Sequence, residues 1–202
     1  EPTCIPSRPG TGGYSAPAHR LDKETSGVVV VAKTRQAIVR LAEIFAGDET
    51  KKTYLTLAQG RLEPSGTIDL ALAEHQQSGA SKAARGVNMQ YALTKYVRLA
   101  LAKDVSLAEV EIETGRTHQI RRHFAAIGHP LAGDDKHGDF AWNKRIRSEW
   151  GLKRMFLHAA RLQLPHPVSG ERMTFRAPVP EDLCRVIDHL GLALPPKFAR
   201  QA

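Results

Sequence analysis

Four valines and an alanine, Val28-Val29-Val30-Val31-Ala32, run directly out of the polar stretch His19-Arg20-Leu21-Asp22-Lys23-Glu24-Thr25-Ser26-Gly27. Side chains branched at Cβ lose rotamer freedom in a helix and pack well on a pleated surface, so the spacing predicts a strand over residues 28–33. Nothing polar interrupts the run, and the strand is expected to be buried on both faces. Gly27 closes the polar stretch with the residue best suited to a sharp turn. Asp22 therefore stands in a turn fastened to a stiff element, an arrangement that can project one carboxylate into a cleft.

The rest of the chain reads as strands joined mostly by hairpins. Residues 1–18 are rich in Pro, Gly and Ser and form an irregular lead-in. Thr34 can cap a helix reaching Gly47, with Ile38, Leu41, Ala42 and Phe45 at helical spacing. Residues 51–59 set Tyr54, Thr56 and Ala58 against Leu55 and Leu57, the pattern of a half-buried strand. A shorter strand is expected over 66–72, and a polar excursion over 75–88. Residues 90–100 and 106–113 form a hairpin about Lys103-Asp104. A helix over 117–127 ends at Gly128 and Pro130, and a basic helix spans 140–150. Strands over 157–164 and 173–177 and a closing helix over 181–190 complete an α+β domain, with a mixed and mostly antiparallel sheet flanked by helices and loops.

A chain of 202 residues accommodates one well-packed domain. No apolar stretch approaches the ~20 residues of a membrane span, and no secretory leader is seen. The sequence opens on Glu1 rather than Met, and either a preceding domain or the catalytic domain alone is expected to select the target. Cys4 and Cys184 lie too far apart for a metal knuckle; Cys184 is expected to face the core and Cys4 to be a terminal thiol, in a reducing, cytoplasmic compartment. The formal net charge is +8, and it is concentrated: residues 116–161 hold ten Lys or Arg against four Asp or Glu. A local excess of this kind is the footprint of a polyanion such as nucleic acid. Aromatic residues are too few for a platform that stacks many bases.

Asp22 is the candidate for chemistry. Arg20 and Lys23 favour its ionised form, and an arginine within about 4–6 Å would lower its pKa by about 1–3 units. Capping of the following turn is its structural alternative. Glu24 lies too close in sequence to serve with Asp22 as a glycosidase pair. His118 and His123 are five apart, off a common helix face, and no compact spacing of metal ligands occurs. A divalent-ion nuclease is thereby disfavoured. A non-catalytic RNA-binding module fits the basic segment but leaves the Asp22 stretch without a purpose.

Taken with Thr25-Ser26-Gly27, the block His19-Arg20-Leu21-Asp22 resembles the RluA family of pseudouridine synthases. So do Gly115-Arg116-Thr117-His118-Gln119-Ile120-Arg121, Lys51-Lys52-Thr53-Tyr54, Gly128-His129-Pro130-Leu131, Phe156-Leu157-His158-Ala159 and His166-Pro167. Residues 140–150 and 152–157 look most like the RluC branch, which acts on large-subunit ribosomal RNA. The resemblance implies that Asp22 is the catalytic aspartate, acting on a flipped uridine at C1′, at C6 or as a base on the 2′ proton. It implies further that Arg121 pairs with Asp22, that Tyr54 stacks on the base, that Leu157 forms an apolar floor and that Arg20 enters the RNA stack. Arg116, His118, Gln119, Arg122, Lys136, Lys144 and Arg145 are expected RNA contacts, with Arg147 a further phosphate contact. No cofactor and no metal is implied, because the uracil stays bound and nothing has to be supplied. The expected partner is RNA, 23S ribosomal RNA before transfer RNA, met by a monomer with no membrane attachment. Family members often carry an S4-like domain upstream. His137 stands where the family usually has tyrosine.

Overall fold

The computed structural model describes residues 14–74 and 88–198. Cys4 and almost all of the excursion expected over 75–88 lie outside the described residues.

The lead-in contains a strand after all. β1 (Ala16–Pro17) pairs antiparallel with β3 (Val31–Ala32), while β2 (Ser26–Gly27) joins a different sheet. The valine run is thus not one long strand buried on both faces: Val29 is 46% and Val31 52% exposed. Its backbone explains this. The Val28 N–H donates to the Ala159 carbonyl and the Val30 N–H to the His19 ring, so neither is available to a regular ladder partner. Val28, Val30 and Ala32 pack inward beneath α1 (Arg35–Ala46), with Leu41, Ile44, Leu162 and Leu164. The Thr34 hydroxyl accepts from the Ala37 N–H and caps α1 as expected. Ala42, however, is exposed, and Ile44 takes the inward position.

The principal sheet has seven strands. β4 (Lys51–Gln59) is central; β5 (Ser65–Asp69) forms one edge. β6 (Leu72–Ala73) and β7 (Met89–Gln90) make a separate small pair. β8 (Leu93–Ala102) and β9 (Val105–Ile112) are the expected hairpin, turning at Lys103, whose φ is 50°. After α2 (Gln119–Ala126) and α3 (Phe140–Trp150) come β10 (Leu157–Pro165), β11 (Arg172–Arg176) and α4 (Glu181–His189). The strand order is β11-β10-β4-β9-β8-β5, all antiparallel, and β2 adds itself to the start of β10 as a parallel neighbour.

β4 is buried on both faces rather than half-buried, because helices cover both sides of the sheet. Leu55 and Leu57 face a cluster with Ile146 of α3 and Leu183 and Ile187 of α4; Cys184 is buried there too. Tyr54 and Ala58 face the other way, toward Phe124 and Ile120 of α2. Lys52 and Leu162 are register partners, so the cluster under α1 lies on that second side. A gap between α1 and α2 remains open above the sheet.

Candidate active site

That gap is a cleft of about 250 Å³ whose lining includes Arg20, Asp22, Thr25, Lys52, Tyr54, Arg116, His118, Gln119, Arg121 and Leu157. Its floor is set by strand alternation, since Lys52 and Tyr54 of β4, Ile112 of β9 and Leu157 of β10 share one face of the sheet.

The turn carrying Asp22 is tied down at several points. The Thr25 N–H donates to the Asp22 carbonyl, and the Met155 N–H donates to the Glu24 carboxylate. Arg154 reaches the Glu24 carbonyl and holds Asp182 through two donors at 2.7 and 3.1 Å. Ser26 meets His158 Nδ1 at 2.9 Å, while His158 Nε2 lies 3.1 Å from the Ala177 carbonyl. Gly27 (φ 126°) sits so close to β10 that a Cβ there would lie 2.2 Å from the Ala159 oxygen. Only glycine fits this approach.

Opposite Asp22, the start of α2 brings up Arg121. Its Nη1 donates to Asp22 Oδ2 at 3.1 Å, while Nε and Nη2 grip Asp134 at 2.8 and 2.7 Å. Burial works against the guanidinium charge, but the two carboxylates outweigh it and hold the pKa above its ordinary value. Burial alone would raise the Asp134 carboxyl; Arg121 and the amides of His137 and Lys136 keep it below the usual carboxylate range. His118 Nε2 stands 3.8 Å from Asp22 Oδ1, and its Nδ1 is 3.0 Å from His137 Nε2. Burial, then the Asp22 charge, pushes the Tyr54 phenol up to about 12, so it stays neutral beside the carboxylate.

Among the expected RNA contacts, Arg20 and Arg116 are exposed on the cleft wall, Arg116 donating to the Tyr91 carbonyl. Gln119 is 3% exposed, and its amide binds Thr114, the Arg116 N–H, the Leu93 carbonyl and Thr94. It fixes the loop before α2. Arg122 points to the Ala73 carbonyl at 2.9 Å, outside the cleft lining. Lys136, Lys144 and Arg145 are exposed, and they too lie outside that lining.

Asp134 was not singled out by sequence reasoning; the tight Gly133-Asp134 turn is the signal that could have marked it. Thr25 was quoted only as part of a motif. It lines the cleft, and its buried hydroxyl has no hydrogen-bond partner among the described residues. Also among the described residues, no three His, Cys, Asp or Glu side chains gather as a metal site requires.

Residues 6–126 match the family described as RNA pseudouridylate synthase. The transfer RNA pseudouridine synthase C of Salmonella typhi is 35% identical over 192 residues, covering 89% of this chain and 74% of its own. The ribosomal large subunit pseudouridine synthase D of Zymomonas mobilis is 36% identical, covering 89% of this chain and 58% of its own. In structure, human RNA pseudouridylate synthase domain containing 4 superposes with a TM-score of 0.75 at 26% identity, over 90% of this chain and 77% of that one. The chain belongs to the RNA pseudouridine synthases of RluA type, isomerases that act on RNA. Among the described residues no helix is long and apolar enough to cross a membrane.

Proposed function

We propose that Asp22 isomerises a uridine flipped from RNA into the cleft between α1 and α2. The observation that carries this reading is the pairing of Asp22 Oδ2 with Arg121 at 3.1 Å, directly above a floor of Tyr54 and Leu157. The guanidinium places a positive charge beside the carboxylate inside the cleft. Oδ1 faces His118 from 3.8 Å, beyond hydrogen-bond range, and is open to substrate. Tyr54 stacks on the uracil, a contact worth about 1–3 kcal/mol, and Leu157 seals the floor. Arg20, exposed at the rim, fills the stack that the uridine vacates.

The N1–C1′ bond breaks, the uracil turns, C5 joins C1′, and the C5 hydrogen is lost to water as N1 takes up a proton. Arg116, Arg122, Lys136, Lys144, Arg145 and Arg147 engage phosphates beyond the pocket, and RNA binding should weaken steeply with salt. In this reading the enzyme works as a monomer in the cytoplasm, where its RNA is found.

For the target, the RluC-like blocks favour 23S ribosomal RNA. The Salmonella typhi relative named for transfer RNA is comparable in identity and shares more of its own length with this chain, which favours transfer RNA as a second reading. The test is release of tritium from RNA labelled at uridine C5, with 23S and transfer RNA transcripts supplied separately and Asp22→Asn alongside. Release by wild type alone supports Asp22, and the productive transcript identifies the target. Release by Asp22→Asn at the wild-type rate overturns the assignment.

A further inference from the structure

We propose that His137 is a positioning residue for this reaction: its ring fixes the His118 imidazole as a neutral donor aimed at the open oxygen of Asp22. The inference rests on the reading of Asp22 as the catalytic aspartate.

His118 has a left-handed backbone, with φ 54° and ψ 30°, at the residue preceding α2. A residue with a Cβ takes that conformation at a conformational cost, and it persists where the surroundings hold it. Its side chain does not cap the helix. The ring turns to the cleft instead, with Nε2 toward Asp22 Oδ1 at 3.8 Å and Nδ1 toward His137 Nε2 at 3.0 Å.

A neutral imidazole carries its proton on one nitrogen only. Facing a carboxylate, His118 is favoured with the proton on Nε2. Its Nδ1 is then a lone pair, and the hydrogen bond to His137 requires His137 to donate from Nε2. With its own proton on Nε2, His137 holds His118 in that tautomer. The opposite tautomer would set a lone pair against the Asp22 anion.

One short turn governs both flanks of the aspartate. Asp134 Oδ1 accepts from the N–H groups of Lys136 and His137, at 2.9 and 3.0 Å, and the same carboxylate anchors Arg121. The turn thus places Arg121 on Oδ2 through Asp134 and His118 on Oδ1 through His137.

The charge state follows from what faces each ring. Around His118 are Asp22, Arg121, Lys136 and His137; around His137 are Asp134, Arg121, Lys136 and Arg122. Burial is the largest influence on both rings and lowers their pKa values, so both are neutral at pH 7. A neutral ring with its N–H turned toward Oδ1 from 3.8 Å leaves the Asp22 charge in place. An imidazolium would bind the carboxylate as an ion pair and withdraw it from the substrate. A tyrosine at 137 would offer an O–H that can donate to the same His118 nitrogen.

The experiment compares wild type, His137→Phe and His137→Tyr by tritium release from pH 5 to 9, with melting temperatures recorded. Phe removes the donor and keeps the bulk. It should lower kcat on the order of tenfold, the scale of lost support to an active-site imidazole, with KM for RNA little changed. It also removes the donor to the Nδ1 lone pair of neutral His118, which favours protonation there, so the acid limb of the profile should move to higher pH. Tyr should restore both. A His137→Phe enzyme with wild-type kcat and acid limb overturns the proposal, as does a folded His137→Tyr enzyme as impaired as His137→Phe. Imidazole ¹⁵N shifts of the wild-type protein provide a readout independent of any variant: a His118 proton on Nε2 supports the proposal, and one on Nδ1 overturns it. Turnover by Asp22→Asn would instead overturn the underlying assignment, which keeps the two failures apart.

Discussion

Asp134 grips Arg121 with both carboxylate oxygens, at 2.8 and 2.7 Å, whereas Arg121 touches Asp22 through one nitrogen at 3.1 Å. The strong, bidentate half of the guanidinium is committed to structure and the weaker half to chemistry. Asp22 gains a nearby positive charge while both of its oxygens keep unused lone pairs. A bidentate grip on Asp22 itself would have occupied the group proposed to react.

Removal of Asp134 should therefore be felt twice. Its side chain is fully buried and that of Arg121 only 10% exposed, so Asp134→Asn strips a buried cation of its partner. The expected cost is about 3 kcal/mol, read from the midpoint of urea unfolding. The same variant should lose turnover well beyond what residual unfolding explains, because Arg121 is no longer held on Asp22. Unchanged stability would mean that the pair is not the anchor described.

Tyr54 should act as a neutral ring across the working pH range. With its phenol pushed up to about 12, no alkaline loss of activity should come from Tyr54 below about pH 10. Tyr54→Phe should keep most of kcat/KM, and Tyr54→Ala should lose the equivalent of about 1–3 kcal/mol, the range for base stacking. A Phe variant as damaged as the Ala variant would make the hydroxyl, not the ring, the working part.

Stability should fall in mild acid. Burial lowers the pKa values of His19, His118, His123, His137 and His158, so around their ordinary value of 6.5 the unfolded chain binds more protons than the folded one. Their contribution is complete above about pH 6.5 and is lost as pH drops through the folded values. His158 should weigh heavily, because protonation would oppose the hydrogen bond that its Nδ1 accepts from Ser26. Urea midpoints at pH 7.5, 6.5 and 5.5 should decline in that order. A midpoint that is flat or rises toward pH 5.5 would refute this.

Gly27→Ala should damage the site more than the fold as a whole. The new methyl would meet the Ala159 carbonyl at 2.2 Å, and φ 126° is unfavourable for any L side chain. The turn must pull away from β10 and carry Asp22 with it. Tritium release is expected to drop at least about tenfold, as sub-ångström misplacement of a reacting group allows, while far-ultraviolet circular dichroism stays native.

What was readable in the sequence was whatever short stretches decide for themselves. Thr34 capped its helix, 51–59 and 140–150 appeared with the bounds their patterns gave, and Lys103 turned the hairpin. The valine run misled because its conformation is decided by distant partners, Ala159 and the His19 ring, that periodicity does not see. β4 looked half-buried because alternation registers a difference between faces, and here α2 covers one face while α3 and α4 cover the other. The Asp22–Arg121 pair was legible only through family motifs, the two residues being 99 positions apart. The part played by Asp134 existed only once α2 had packed beside its turn.

The parallel seam between β2 and β10 also has a consequence in time. Ser26 and His158 meet across 132 positions, and Gly27 rests on Ala159. A chain made from its N-terminus delivers Asp22 early, yet the strand that props its turn, and Leu157 beneath it, come only after some three quarters of these residues have been synthesised. Contacts of such separation form late and slowly. The pocket is therefore incomplete until β10 has joined β2, and it gains its form with that pairing rather than piece by piece.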